Sequence, residues 1–252
     1  MPEYKSDREI DLMREAGRIV AEVLEILGNQ VTPGITTAEL DRIAEEYILS
    51  RGAAPAFKGY RMGGNVFPAS ICASIDDVVV HGIPSGRKLM EGEIISIDVG
   101  TVKEGYYGDG ARTYAVGAID ETKRKLMDVT LQALYAGIEQ AVVGNRLGDI
   151  SAAIQKTVEQ NGFSVVRDMV GHGIGRRMHE EPQVYNFGVP GTGPLLKKGL
   201  VLAIEPMVNA GGSKISFKPD GWTTVTADGS PSAHFEHTVA ITGDGPDILT
   251  LV

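Results

Sequence analysis

The chain has 252 residues, 42% of them hydrophobic, which is enough for one large domain or two modest ones. Its formal charge is −9, from 24 basic and 33 acidic residues with no long basic run, and this argues against duplex nucleic acid as an obligate partner. Cys72 is the only cysteine, the first helix is charged from its start, and no apolar run is long enough to span a bilayer; no disulfide, signal peptide or membrane span is expected, and a reducing cytoplasmic setting is.

The first predicted element begins at Ser6-Asp7-Arg8-Glu9, where Glu9 can reach back to the cap amide. Ile10, Met13, Gly17, Val20, Leu24 and Leu27 then recur at helical spacing, and Gly28 reads as the stop. A second helix opens at Thr36-Thr37-Ala38-Glu39, carries Leu40, Ile43, Tyr47 and Ile48 inward, and ends at Arg51-Gly52. Short apolar strands are expected over 71–73, 78–80, 94–99 and 112–116, and a third helix over 121–141. A fourth helix over 147–161 leads to strands over 165–166, 201–204 and 238–241. No serine-rich or proline-rich linker divides the chain, so residues 1–252 are expected to form a single domain.

A long-range pattern overlies these elements. Gly34, Leu40 and Gly52 are echoed by Gly144, Ile150 and Gly162, in each case a glycine-led turn, an acidic residue and a helix closed by glycine. Gly92 precedes Asp98 through a strand as Gly199 precedes Glu205. Each of these acids is followed by a second one, Asp109 or Glu236. Two divergent copies of one helix-plus-sheet unit would place the four acids around a cleft at their interface.

Carboxylates beside apolar strand cores are costly unless a positive charge neutralises them. Any one of the four could be a strand-end residue paired with Lys or Arg, but all four in duplicated contexts point to a shared cation site. Together with His172, in the glycine-flanked run Val170-Gly171-His172-Gly173, they form a ligand set for two cations and point to metal-assisted hydrolysis. Oxygen-rich donors with at most one nitrogen per metal suit manganese, iron(II) or cobalt, with zinc possible.

Seven short motifs occur in order: Val80-His81-Gly82-Ile83-Pro84, Ile97-Asp98-Val99-Gly100, Gly108-Asp109, Gly171-His172-Gly173-Ile174-Gly175, His179-Glu180-Glu181-Pro182, Ile204-Glu205-Pro206-Met207 and Phe235-Glu236-His237-Thr238. Each alone is weak; in this order they are specific, and the chain resembles the type I methionine aminopeptidases over residues 5–250. The chain is similar to the compact bacterial form, with neither an amino-terminal zinc-finger extension nor the type II insertion. The resemblance implies an α+β pita-bread fold: a curved antiparallel sheet with two helix pairs and an internal pseudo-two-fold. It implies removal of the initiator methionine from nascent polypeptides when the second residue is small, by a monomer that associates at most transiently with the ribosome.

Carried onto this chain, the resemblance makes Asp98 the terminal ligand of one metal, Asp109 and Glu236 the bridging ligands, and His172 with Glu205 the remainder of the second. Glu205 would also shuttle the proton from the attacking water to the leaving amine. His81 would guide the scissile nitrogen, and His179 would hydrogen-bond the substrate carbonyl. Phe67, Cys72, Met178 and Trp222 would enclose the methionine, with Tyr60 nearby. His234 and His237 are not needed as ligands and are expected behind the metal-binding side chains. A lone Cys72 with no base beside it reads as a pocket hydrophobe rather than a nucleophile. The glycines around His172 lack the Lys-Ser/Thr of a phosphate loop.

The segment Arg61-Met62-Gly63-Gly64-Asn65-Val66 departs from the best-known bacterial members: Arg61 follows Tyr60 where a histidine is common, and the segment is longer. Two other readings share the fold. A proline-directed peptidase of the prolidase or aminopeptidase P kind normally carries a further amino-terminal domain. A non-catalytic RNA- or protein-binding member would have lost metal ligands.

Overall fold

The computed structural model describes residues 2–252. Helices α1 (Asp7–Gly28) and α2 (Thr37–Ser50) cover the strands Ile71–Ile75, Ile94–Lys103 and Tyr106–Ala115. Helices α3 (Glu121–Glu139) and α4 (Leu147–Gln160) cover Val201–Ile204 and His237–Thr242 in the same way. All strand pairs are antiparallel; Ala54–Pro55 extends the first sheet, and Gly171–Gly173, Glu180–Val184 and Gly245–Ile248 extend the second.

Local chemistry sets the helix starts. Ser6 with Glu9 and Thr36 with Glu39 form reciprocal capping boxes, and Asp120 accepts the Lys123 amide at 2.8 Å. At α4, Asp149 accepts the Arg146 amide at 2.7 Å, the counterpart of Glu39 on the Thr36 amide at 2.9 Å. Gly28 is the last residue of α1, but Asn29 beyond it stays right-handed. Its lack of a side chain serves packing instead: an added Cβ would lie 2.5 Å from the Tyr114 ring.

The duplication is visible in matched backbone geometry. Gly34 and Gly144 have φ of 99° and 95°, and Gly92 and Gly199 have φ of 89° and 87°, a region that favours glycine. The isolated bridge Thr36–Lys88 is repeated as Arg146–Leu195. The Gly92 amide donates to Val116 O at 2.9 Å, and the Gly199 amide donates to Ile241 O at the same distance.

Two strands are longer than their composition implies. The strand expected to end at 99 runs to Lys103, and its partner starts at Tyr106 rather than Arg112, so Asp98 and Asp109 lie inside strands and not at their ends. Gly100, Gly108 and Gly110 lie within these strands and admit close neighbours. A Cβ on Gly108 would lie 2.7 Å from Gly17 N of α1, and one on Gly100 2.7 Å from the Phe57 ring. Strands such as Gly171–Gly173, Glu180–Val184 and Met207–Asn209 carry no alternating apolar signal and exist through their partners.

The halves join along the strand that carries Asp109 and the segment around Glu236, between Ser232–His234 and His237–Thr242. Glu236 N donates to Ala111 O at 2.9 Å and Ala111 N returns a 3.4 Å bond. Thr238 Oγ1 donates to Asp109 O at 2.7 Å and accepts Asp109 N at 3.0 Å. Thr113 Oγ1 donates to His234 O at 2.8 Å.

Candidate active site

Strand register brings the acids together. Asp98 pairs with Ala111 and Gly100 with Asp109; cross-strand partners and residues two apart share a face, so both carboxylates project on one side. Cys72 pairs with Asp98 and shares that face. In the second half His172 pairs with Ala203 and Ala203 with Thr238; Glu205 lies two residues beyond Ala203, and Glu236 two before Thr238. The glycines flanking His172 let strands approach: a Cβ on Gly171 would lie 2.4 Å from Ala203 O, and one on Gly173 2.3 Å from Glu181 O. Their role is packing.

The four carboxylates sit in a buried cluster. Asp109, His172 and Glu236 offer donor atoms within 4.8 Å of one another, and so do Glu205, His234 and Glu236. His172 Nε2 lies 3.7 Å from both Asp109 Oδ2 and Glu205 Oε1. Its Nδ1 faces the Gly173 carbonyl at 2.9 Å, which can only accept, so Nδ1 carries the proton and Nε2 presents a lone pair to the acids. Burial pushes this imidazole down to about 3, so it is neutral at pH 7.

Burial, reinforced by mutual repulsion, holds Asp109 and Glu236 well above the usual carboxylate range. Burial also raises Asp98 and Glu205. Asp98 Oδ1, Glu236 Oε1 and His234 Nε2 are buried without a hydrogen-bond partner. Among the described residues the basic groups beside the cluster are the imidazoles of His172 and His234, both held towards the neutral form by burial; no Lys or Arg pairs with it. Orphaned oxygens and unneutralised carboxylates around a neutral imidazole fit divalent cations.

The cluster opens into a cavity of about 360 Å³, and every residue expected in the site lines it: Asp98, Asp109, His172, Glu205 and Glu236, then His81 and His179, then Tyr60, Phe67, Cys72, Met178 and Trp222. Phe67 and Trp222 meet edge to face at 5.2 Å, and His81 lies 6.4 Å from Trp222. The His179 ring lies 4.3 Å from that of His172, tilted by 59°. His81 is neutral, pushed down to about 4 by burial and then by His234 and His179, and it adopts a left-handed φ of 60°. Burial raises the Cys72 thiol well above its usual value, so it stays a thiol and packs as a hydrophobe.

Tyr60 touches His179 directly, with its hydroxyl 2.7 Å from Nδ1. Burial raises the phenol and lowers the imidazole, so both groups are neutral, and the Tyr60 hydroxyl can donate to Nδ1. With Tyr60 as donor, the His179 proton is on Nε2.

The two remaining histidines separate. His237 faces away, with Nδ1 2.8 Å from Thr250 Oγ1 and its ring near Tyr135. His234 lies beside the cluster, with Nε2 3.4 Å from Glu205 Oε2. Sequence reasoning left out Phe57, Met62, Val80, Met169, Met207 and Phe217, which also line the cavity. Met207 and Met169 stand close to Glu205 and His172 in the chain, which was a usable signal; Phe217 arrives only through pairing of Thr224 with Val80.

Comparison with known proteins agrees with this geometry. Residues 11–243 match the model of metallopeptidase family M24. A methionine aminopeptidase of Clostridium perfringens is 56% identical over 98% of both chains. The crystal structure of methionine aminopeptidase from Rickettsia prowazekii superposes with a TM-score of 0.97 at 43% identity, covering 100% of both. Prolidase from Pyrococcus furiosus shares the fold alone, with a TM-score of 0.80 at 22% identity over 65% of its length. The chain belongs to the M24 metallopeptidases and has their pita-bread fold. Within that family it belongs with the methionine aminopeptidases.

Proposed function

We propose that this chain releases the N-terminal methionine of nascent polypeptides whose second residue is small, by attack of water on the peptide carbonyl. One observation carries the reading: a buried cluster of four carboxylates without a Lys or Arg partner opens directly onto an apolar cavity lined by Phe67, Cys72, Met178 and Trp222. That lining suits an unbranched thioether and offers nothing to a charged side chain. The relative at 56% identity, a methionine aminopeptidase, supports it.

Asp98, Asp109, Glu236, His172 and Glu205 would hold two divalent ions, with Asp109 and Glu236 shared. Manganese, cobalt or iron(II) suit these donors, and zinc is also accommodated. When bound, the ions supply Lewis acidity to the attacking water and to the carbonyl oxygen. Glu205 accepts the water proton and returns it to the leaving amine. His179, with its proton on Nε2, donates to the carbonyl oxygen as charge develops there. Neutral His81 orients the scissile nitrogen, and Tyr60 holds His179 in the donating tautomer. The chain would act as one catalytic domain and as a monomer in the cytoplasm, meeting nascent chains through transient contact with the ribosome.

The test is kcat/KM for Met-Ala-Ser, Met-Lys-Ser, Leu-Ala-Ser and an Xaa-Pro peptide. Met-Ala-Ser is expected to exceed Met-Lys-Ser by about 10²-fold through steric exclusion. Equal rates on those two, or a preference for Leu-Ala-Ser or Xaa-Pro, would defeat the reading.

A further inference from the structure

Two apolar side chains stand exposed at the mouth of the cavity, and no step above uses them. Met62 is 52% exposed and Phe217 67%, yet both line the cavity that contains His81 and His179. Single exposed apolar residues are ordinary; two on the rim of one cavity mark a contact surface.

Each is carried on a short hairpin with a firm base. Arg61–Met62 pairs with Asn65–Val66 through a Gly63-Gly64 turn whose φ values of 55° and 89° match the tight turn such hairpins need. Below it, Phe67 N donates to Tyr60 O at 2.9 Å, and the Tyr60 hydroxyl meets His179. Phe217 pairs with Thr224, which pairs with Val80 next to His81. The hairpins abut where Asn65 covers Gly221, since a Cβ there would lie 2.2 Å from Asn65 Nδ2. The rim is therefore fixed from below to both histidines proposed to flank the scissile bond.

We propose that Met62 and Phe217 form an apolar clamp on the third and fourth residues of the substrate and so favour polypeptides that are apolar there. The inference rests on the proposed function. With methionine among Phe67, Cys72 and Trp222 and the scissile bond at His81 and His179, the chain must leave past the rim. An extended peptide advances roughly 3.3 Å per residue, which brings its third and fourth residues to the rim. Side chains there would share buried surface with Met62 and Phe217, a gain proportional to apolar area.

The test compares Met-Ala-Leu-Leu with Met-Ala-Ser-Ser. The expected kcat/KM ratio is about 5-fold in favour of leucine, expressed mainly in KM, as apolar burial of this extent implies. Met62→Ser and Phe217→Ser are each expected to reduce the ratio, and the double variant to bring it near unity. A ratio taken within one preparation is insensitive to the folded fraction, so partial misfolding of a variant does not disguise the result. Equal rates in the unmodified protein, or an unchanged ratio in the double variant, would overturn the clamp alone. Failure to release methionine from either peptide would overturn the proposed function, and the clamp with it.

Discussion

His179 and Tyr60 show how a single hydrogen bond bears on a proposed chemical role. An imidazole whose Nδ1 accepts from Tyr60 presents a proton on Nε2, the form that can stabilise an oxyanion. His179→Ala is expected to lower kcat by about 10²–10³-fold with a smaller change in KM. A pure KM effect would recast His179 as a ground-state binding residue. Glu205 differs in that it would be both metal-binding and proton-carrying. Glu205→Gln keeps its shape but not its basicity, and turnover is expected to fall by about 10²-fold or more. Metal content measured on the same sample separates the two roles; near-normal turnover would end the proton-shuttle assignment.

At the scale of elements, the strand bearing Asp109 is placed by its contact with α1. A Cβ on Gly17 would lie 2.4 Å from Leu249 O, and one on Gly108 2.7 Å from Gly17 N. Thr101 Oγ1 adds a 2.9 Å bond to Ala16 O. Backbone atoms cannot move aside as a flexible side chain could. Gly17→Val is therefore expected to cost roughly 1–3 kcal/mol, which corresponds to a fall in Tm of about 2–12 °C for a chain of this size. An unchanged Tm would show that the helix can lift without loss. Helix positions were legible in the sequence because caps such as Ser6 with Glu9 are local. The strand ends around Gly100 and Gly108 were misread because these glycines answer to a helix and a phenyl ring distant in the chain.

Across the whole molecule, the buried acids couple stability to pH and metal. His81 and His172 have folded values of about 4 and 3, below their unfolded value, so their contribution grows as pH rises towards 6.5 and is constant above it. The carboxyls have raised folded values, with Glu205 pushed up to about 8, so their contribution is present at low pH and lost as pH rises through those values. Between pH 6.5 and 8 only the second effect operates within this cluster. Metal-free protein is expected to lose Tm over that interval, and manganese is expected to restore it with release of protons. The measurement is Tm against pH in chelator-treated samples, together with titration calorimetry in buffers of different ionisation enthalpy. A flat profile without metal, or binding without proton release, would contradict the electrostatics described. Activity in the same chelated samples is expected to vanish and to return with manganese, cobalt or iron(II).

The sequence alone determined the four helices, the duplicated half and the identity of the acids and histidines around the cleft. The helices rest on local capping and helical periodicity, and the rest on repeated spacings and motif order along the chain, all of them readable without knowing which residues touch. Tertiary structure decided what faces what. Only the pairing of Gly100 with Asp109 sets two acids on one face, and only the folded chain turns His234 towards Glu205 and His237 away. Phe217 reaches the rim because Thr224 pairs with Val80, a contact between residues far apart in sequence. Register and side-chain facing depend on partners chosen at a distance, and a one-residue shift in such pairing would point each of these side chains to the opposite face.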